Sequence, residues 1–325
     1  MLNWQLILSL LILGLIPAFF WLYIYYLKDY VQPEPRRLIA KTFLYGMLVA
    51  APLIFLQLAR AHNPNWDLYA LVDRFVPYQY LAAIVFYILV AYIEEYLKHI
   101  GMVALVEKHE AEFDQIVDGI EYAVASALGF AFIENVVYFW SAYQSTGAGQ
   151  SFLLIFLVRA LLSTLSHSVF SGYFGYFYAR AKLDHQVHHD EHEKLTHFNR
   201  NLLKGGWKLH IFRSHIIPQR PSRSKHHPAL LVAEGFFLAT GMHLIYNVLF
   251  SIKFGFYSFA WLTVPLLFLA AYYLFCQFHC YVNQKIIKRT PSSFIYSVVC
   301  WPEKRNFIKK YGHSEEEWRE LFVQE

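Results

Sequence analysis

Residues 91–100 read AYIEEYLKHI, placing two adjacent glutamates and a lysine inside the apolar run 79–106. Glu94 and Lys98 are four apart and Glu95 and Lys98 three apart, so on a helix either pair shares a face. Lys98 can hold one carboxylate charged and in place, leaving the other as a candidate general base or acid. Further apolar runs carry more such groups: Glu134 and Asn135, then His167, then His243 with Asn247 as H-x-x-x-N. Tyr138 lies one helical turn from Glu134. Two chemistries suit this set. A glutamate could activate water with histidine assistance while Asn247 donates to an oxyanion. Alternatively, Glu94 or Glu95 with His167 and His243 could hold a divalent metal such as zinc and leave a position for water. Each residue also has a plainer reading. Glu95–Lys98 could be a structural ion pair, His167 a hydrogen bond between helices, and Glu134–Asn135 a polar clasp supporting the site.

The elements that must position these residues are membrane helices. Of 325 residues, 57% are hydrophobic, 19% aromatic and 16% charged. About 20 apolar residues cross the hydrocarbon layer as a helix. Stretches at about 4–27, 40–59, 79–106, 118–143, 152–180, 229–250 and 255–282 meet that length, so an all-α bundle of seven transmembrane helices is expected. Residues 1–282 would form the membrane domain and 283–325 a basic tail. At about 1.5 Å per residue, Glu94, Glu95, Glu134, His167 and His243 fall within roughly 8 Å of the bilayer centre. A charged residue there costs about 2.5–3.5 kcal/mol. Four helices bearing polar groups at one depth therefore imply one shared buried polar site. Arg159, Ser163, His167, Ser171 and Gly175 recur every four residues as a polar, small stripe on the fifth span.

Lysine and arginine set the orientation. Residues 28–41 hold four, 180–228 ten and the segment after 283 eight, with Lys108 on the same side; the other side has Arg60, Arg74 and Lys253. The positive-inside rule then places the N-terminus outside and the C-terminus in the cytoplasm. The net charge of +4 reflects that bias, and no nucleic-acid partner is expected. The first stretch lacks a basic start and a small-residue cleavage pattern, so it reads as a retained span. The loop 181–228 holds nine of the sixteen histidines without structural-zinc spacing, and reads as a solvated basic loop near anionic headgroups. Ser314 and Glu317 match a capping box for a short terminal helix. Cys276, Cys280 and Cys300 make no disulfide framework.

No H-E-x-x-H or G-x-S-x-G occurs, and no aspartate lies at the core of a span. A transporter or a signalling scaffold with a buried polar core is the alternative class, although no inverted repeat or Gly/Pro-broken helix pair is visible. The segments YYLKDYVQPEP, EEYLK, GFAFIENVVY, HSVFSGYFG and HLIYN, in that order, resemble the PrsW-type intramembrane proteases. These are related to the CAAX-processing and bacteriocin-protection glutamate-dependent membrane proteases. D-x-x-x-x-P-E-P is matched one residue short, and a glutamate, Glu134, stands where the CAAX relatives have a histidine. The resemblance implies an intramembrane endopeptidase of glutamic or metal-dependent type, acting on a membrane-anchored protein within or near the lipid bilayer. Glu94 or Glu95, His167, His243 and Asn247 would form its site, with Lys98, Glu134, Asn135 and Tyr138 in support. Its setting would be a prokaryotic cytoplasmic membrane. Some members of the family are associated with cleaving anti-sigma factors, a class of single-pass regulator.

Overall fold

The structure is a computed structural model that describes residues 4–29, 33–55, 63, 66–110, 112, 113, 115–187, 228–251, 253, 254 and 257–281. Seven of its helices are long and apolar enough to cross a membrane: Trp4–Lys28, Arg36–Phe55, Gln79–Lys108, Ile116–Thr146, Gln150–Leu183, Pro228–Ser251 and Ala260–Phe278. They are numbered here as the first to seventh spans and match the seven apolar runs. Their ends differ where hydropathy is blind. The second span starts at Arg36, after Pro35, because two terminal arginines extend a helix without adding apolar character. The seventh starts at Ala260, because Lys253–Phe254 and Tyr257–Ser258 pair as a two-residue antiparallel ladder. A short helix, Leu68–Phe75, leads into the third span; the Asp67 carboxylate caps it by accepting from the Tyr69 and Ala70 amides. The histidine-rich part of the loop, the capping box at Ser314 and the tail from 283 lie outside the described residues.

The fourth span is the axis of the bundle. Its most apolar stretch is 94% buried, against 22% for the third and for the sixth. Its sequence explains why. In lipid, helices are held by close packing, and small side chains let backbones approach. Gly119 meets Gly175 of the fifth span so closely that a Cβ on either would run into the other's carbonyl. Gly46 rests on the Ser126 backbone and Gly129 on the Phe43 backbone, which brings in the second span the same way. The first span packs on the fourth as well. The sixth packs on the fifth and touches the third, while the seventh lies against the fifth and sixth. The third, fourth, fifth and sixth spans thus enclose the polar layer. Within the fifth span, Arg159–Ser163 form one π-helical turn.

Candidate active site

The two adjacent glutamates of the third span have different surroundings. Glu95 is fully buried and committed on both oxygens. Lys98 Nζ donates to its Oε1 at 2.7 Å, and His243 Nδ1 lies 2.9 Å from the same oxygen. The Ser171 hydroxyl donates to Oε2 at 3.1 Å, and His99 Nε2 lies 3.4 Å from it. Glu94 has none of this. Its Oε2 is buried and accepts no hydrogen bond, and it lies 3.7 Å from both Lys98 Nζ and His243 Nε2.

Lys98 connects two walls of the chamber. It is fully buried, with its ammonium 4.8 Å from the centre of the Phe130 ring and 2.7 Å from His167 Nδ1. An ammonium only donates, so Nδ1 of His167 accepts and a neutral ring carries its proton on Nε2. That Nε2 lies 2.9 Å from Glu134 Oε2. Arg159 Nη2 lies 3.1 Å from Glu134 Oε1. Both are ion-pair contacts without hydrogen-bond alignment, and Glu134 Oε2 is left without a donor. Asn135 faces the fifth span: its Oδ1 accepts from Arg159 Nε and its Nδ2 donates to Thr164 Oγ1, each at 2.9 Å. Tyr138 lies with its ring 3.8 Å from the Arg159 guanidinium carbon.

Glu94, Glu95, Lys98, Glu134, His167 and His243, read from sequence as one layer, therefore meet in one buried chamber. Asn247 is half-buried, one turn past His243, and makes no hydrogen bond among the described residues. One metal-competent group exists among the described residues: ligand atoms of Glu94, Glu134 and His167 lie within 4.8 Å of one another. Of the four ligands expected from sequence, Glu94 and His167 belong to that group; Glu95 and His243 face each other beside it, and Glu134 joins instead. The depth argument did not select His99, which stacks on Phe174 at 3.6 Å, although its i,i+4 spacing from Glu95 is a visible signal. Arg159 appeared only as part of a small-residue stripe; an arginine inside a span was the signal that it has buried acidic partners.

A second polar cluster lies toward the P-E-P segment. The Tyr122 hydroxyl donates to Glu34 Oε2, and Glu121 is 3% exposed with neither carboxylate oxygen hydrogen-bonded. It is separate from the chamber.

Comparison with known proteins bears on what the chamber does. A sequence model of the family described as PrsW family intramembrane metalloprotease matches residues 34–212. The chain is 31% identical over 174 residues to Protease PrsW of Geobacillus kaustophilus (strain HTA426), covering 54% of this chain and 67% of that one. It is 34% identical over 175 residues to Protease PrsW of Oceanobacillus iheyensis, covering 54% and 70%. To Protease PrsW of Halalkalibacterium halodurans it is 31% identical over 176 residues, covering 54% and 71%. No solved structure matches it significantly. With seven membrane-length helices and a family match over more than half its length, the chain is an integral membrane peptidase and belongs to the PrsW family of intramembrane metalloproteases.

Proposed function

We propose that the protein hydrolyses a peptide bond of a membrane-anchored protein, with Glu94 as the carboxylate that activates water. The observation that carries this reading is the asymmetry of the glutamate pair. Glu95 is held by Lys98, His243, Ser171 and His99, whereas Glu94 Oε2 is buried, accepts no hydrogen bond and faces His243 Nε2. A base must keep a lone pair available to the proton it takes. Glu95 supports the chemistry through His243: the Nδ1 proton goes to its Oε1, which leaves the Nε2 lone pair toward Glu94. The Asn247 amide, one turn away, donates to the oxyanion that develops on the scissile carbonyl. Lys98 holds Glu95 by donating to its Oε1 and fixes the ring of His167 through Nδ1.

A divalent cation fits this chamber. Glu94 Oε2 and Glu134 Oε2 are both buried acceptors without a donor, and nitrogen and carboxylate oxygen are the donor set of catalytic zinc sites. Three carboxylates, Glu94, Glu95 and Glu134, face two cationic side chains, Lys98 and Arg159. Glu94, Glu134 and His167 would hold the ion, with His243 Nε2 beside Glu94, and Glu94 would then act on the water as a ligand of the ion bearing it and not as a free base. Bound there, a zinc-type ion would polarise the scissile carbonyl and acidify its water. Binding through Nε2 would require the His167 proton on Nδ1, where Lys98 donates, so loading would release one proton from the Lys98–His167 pair and occupancy would fall at low pH.

The substrate class is a single-pass protein, an anti-sigma factor being one such regulator, and the setting is the cytoplasmic membrane of a prokaryote. Residues 1–282 form the protease domain and 283–325 a cytoplasmic tail. The test is cleavage of purified single-pass proteins in detergent or liposomes, with and without a chelator. Cleavage by the wild type, loss in Glu94→Gln and loss on chelation with recovery on adding zinc are expected. Wild-type cleavage by Glu94→Gln would overturn the mechanism.

A further inference from the structure

The fifth span contains a feature the hydrolytic scheme above does not use. At Arg159–Ser163 the helix widens into a π-turn, with the Thr164 amide donating to the Arg159 carbonyl. The Thr164 hydroxyl donates to the same carbonyl at 3.0 Å. Asn135 of the fourth span joins the two ends of the turn, accepting from Arg159 Nε and donating to Thr164 Oγ1. A π-turn absorbs one extra residue and rotates the helix beyond it by about 100°. The consequence here is alignment. Arg159 and His167 are eight residues apart, which on a regular helix leaves them about 80° out of phase. The inserted residue brings them within about 20° of one face. Both then reach one carboxylate: Arg159 Nη2 is 3.1 Å from Glu134 Oε1 and His167 Nε2 is 2.9 Å from Oε2.

We propose that Arg159, aimed by this π-turn, is a positioning residue of the peptidase: it holds the Glu134 carboxylate against His167, and Asn135 with Thr164 locks the turn. The inference rests on the reading that Glu134 faces the reacting chamber. The guanidinium is held on three sides, by Glu134, Asn135 and the Tyr138 ring. Held this way it fixes where the carboxylate lies, which lysine with its single ammonium cannot reproduce. Partners that orient a ligand or base change rate or metal affinity by about 10–100-fold when altered.

The test is kinetic, on the full-length protein in liposomes. Arg159→Lys and Thr164→Val are expected to lower kcat about 10–100-fold with KM within about twofold of wild type. Both should elute as the wild type does on gel filtration. Bound metal per chain should fall in Arg159→Lys and be regained at higher metal concentration. In combination with Glu134→Asp, the loss from Arg159→Lys should be smaller than in the wild-type background, because the two residues act as one unit. Losses that multiply would overturn the positioning role, as would a wild-type kcat in Arg159→Lys. If Glu134→Gln itself cleaves at the wild-type rate, the chamber reading fails instead, so the two failures are separable. Arg159→Met, which leaves Glu134 and Asn135 without their buried partner, serves only to measure stability.

Discussion

The adjacent glutamates Glu94 and Glu95 differ in what a substitution would remove. Glu95 joins Lys98, His243 and Ser171 inside the bundle, so Glu95→Gln takes the hydrogen-bonded counter-charge from a buried ammonium and leaves only Glu94 at 3.7 Å. Removing one partner of a buried ion pair costs about 3–5 kcal/mol. Glu95→Gln is therefore expected to lower the thermal midpoint and the amount of protein that accumulates, as read by a melting curve of the purified membrane protein. Ser171→Ala, which removes one hydrogen bond to Glu95, should cost about 1 kcal/mol in the same assay. That both glutamates lie in a polar layer was legible from their position in the run 79–106. Which of them is committed was not: on a regular helix their side chains diverge by about 100°, and what each one meets is decided by the fifth and sixth spans.

Two features of the elements set the geometry, and only one is visible in the chain. The small residues of the fourth span announce close packing, and Gly119 against Gly175 is one expression of it. Gly175→Leu is expected to separate these spans and destabilise by about 1–3 kcal/mol or more, since the clash is with backbone; unchanged unfolding would show that the contact is slack. The π-turn has no such signature. Its residues, RALLS, contain no glycine or proline, and its fastening is partly tertiary: Asn135 of the fourth span ties Arg159 to the adjacent Thr164. A regular helix was the natural expectation, and it leaves Arg159 out of line with His167. Deleting Leu161, which is exposed, removes the residue the turn absorbs and leaves Arg159 seven positions from His167, about 20° apart on a regular helix, so Arg159 should still reach Glu134. Cleavage retained in the deletion and in Leu161→Ala is the expected pair of results, and loss in the deletion alone would show that alignment is not what the turn supplies.

For the whole molecule, seven spans were legible because hydropathy and length alone define a membrane helix. Their arrangement was not, because contacts between spans depend on where small and polar groups meet. The excess of lysine and arginine on alternate loops predicts that a reporter fused after residue 325 is cytoplasmic, and that cysteines placed at 63 and 147 react with an impermeant thiol reagent from outside. Labelling from the cytoplasmic side would reverse the assignment. The enclosure of Glu94, Glu134, His167 and His243 by four different spans makes activity a property of the assembled bundle. Its central claim, that Glu94 is the water-activating carboxylate, is tested most directly by single-turnover cleavage of a single-pass substrate by Glu94→Gln in liposomes, with thermal unfolding recorded on the same preparation. A loss of at least about a thousandfold is expected, within the range one positioned general base supplies, with an unfolding midpoint close to wild type. Cleavage by Glu94→Gln at the wild-type rate would contradict it.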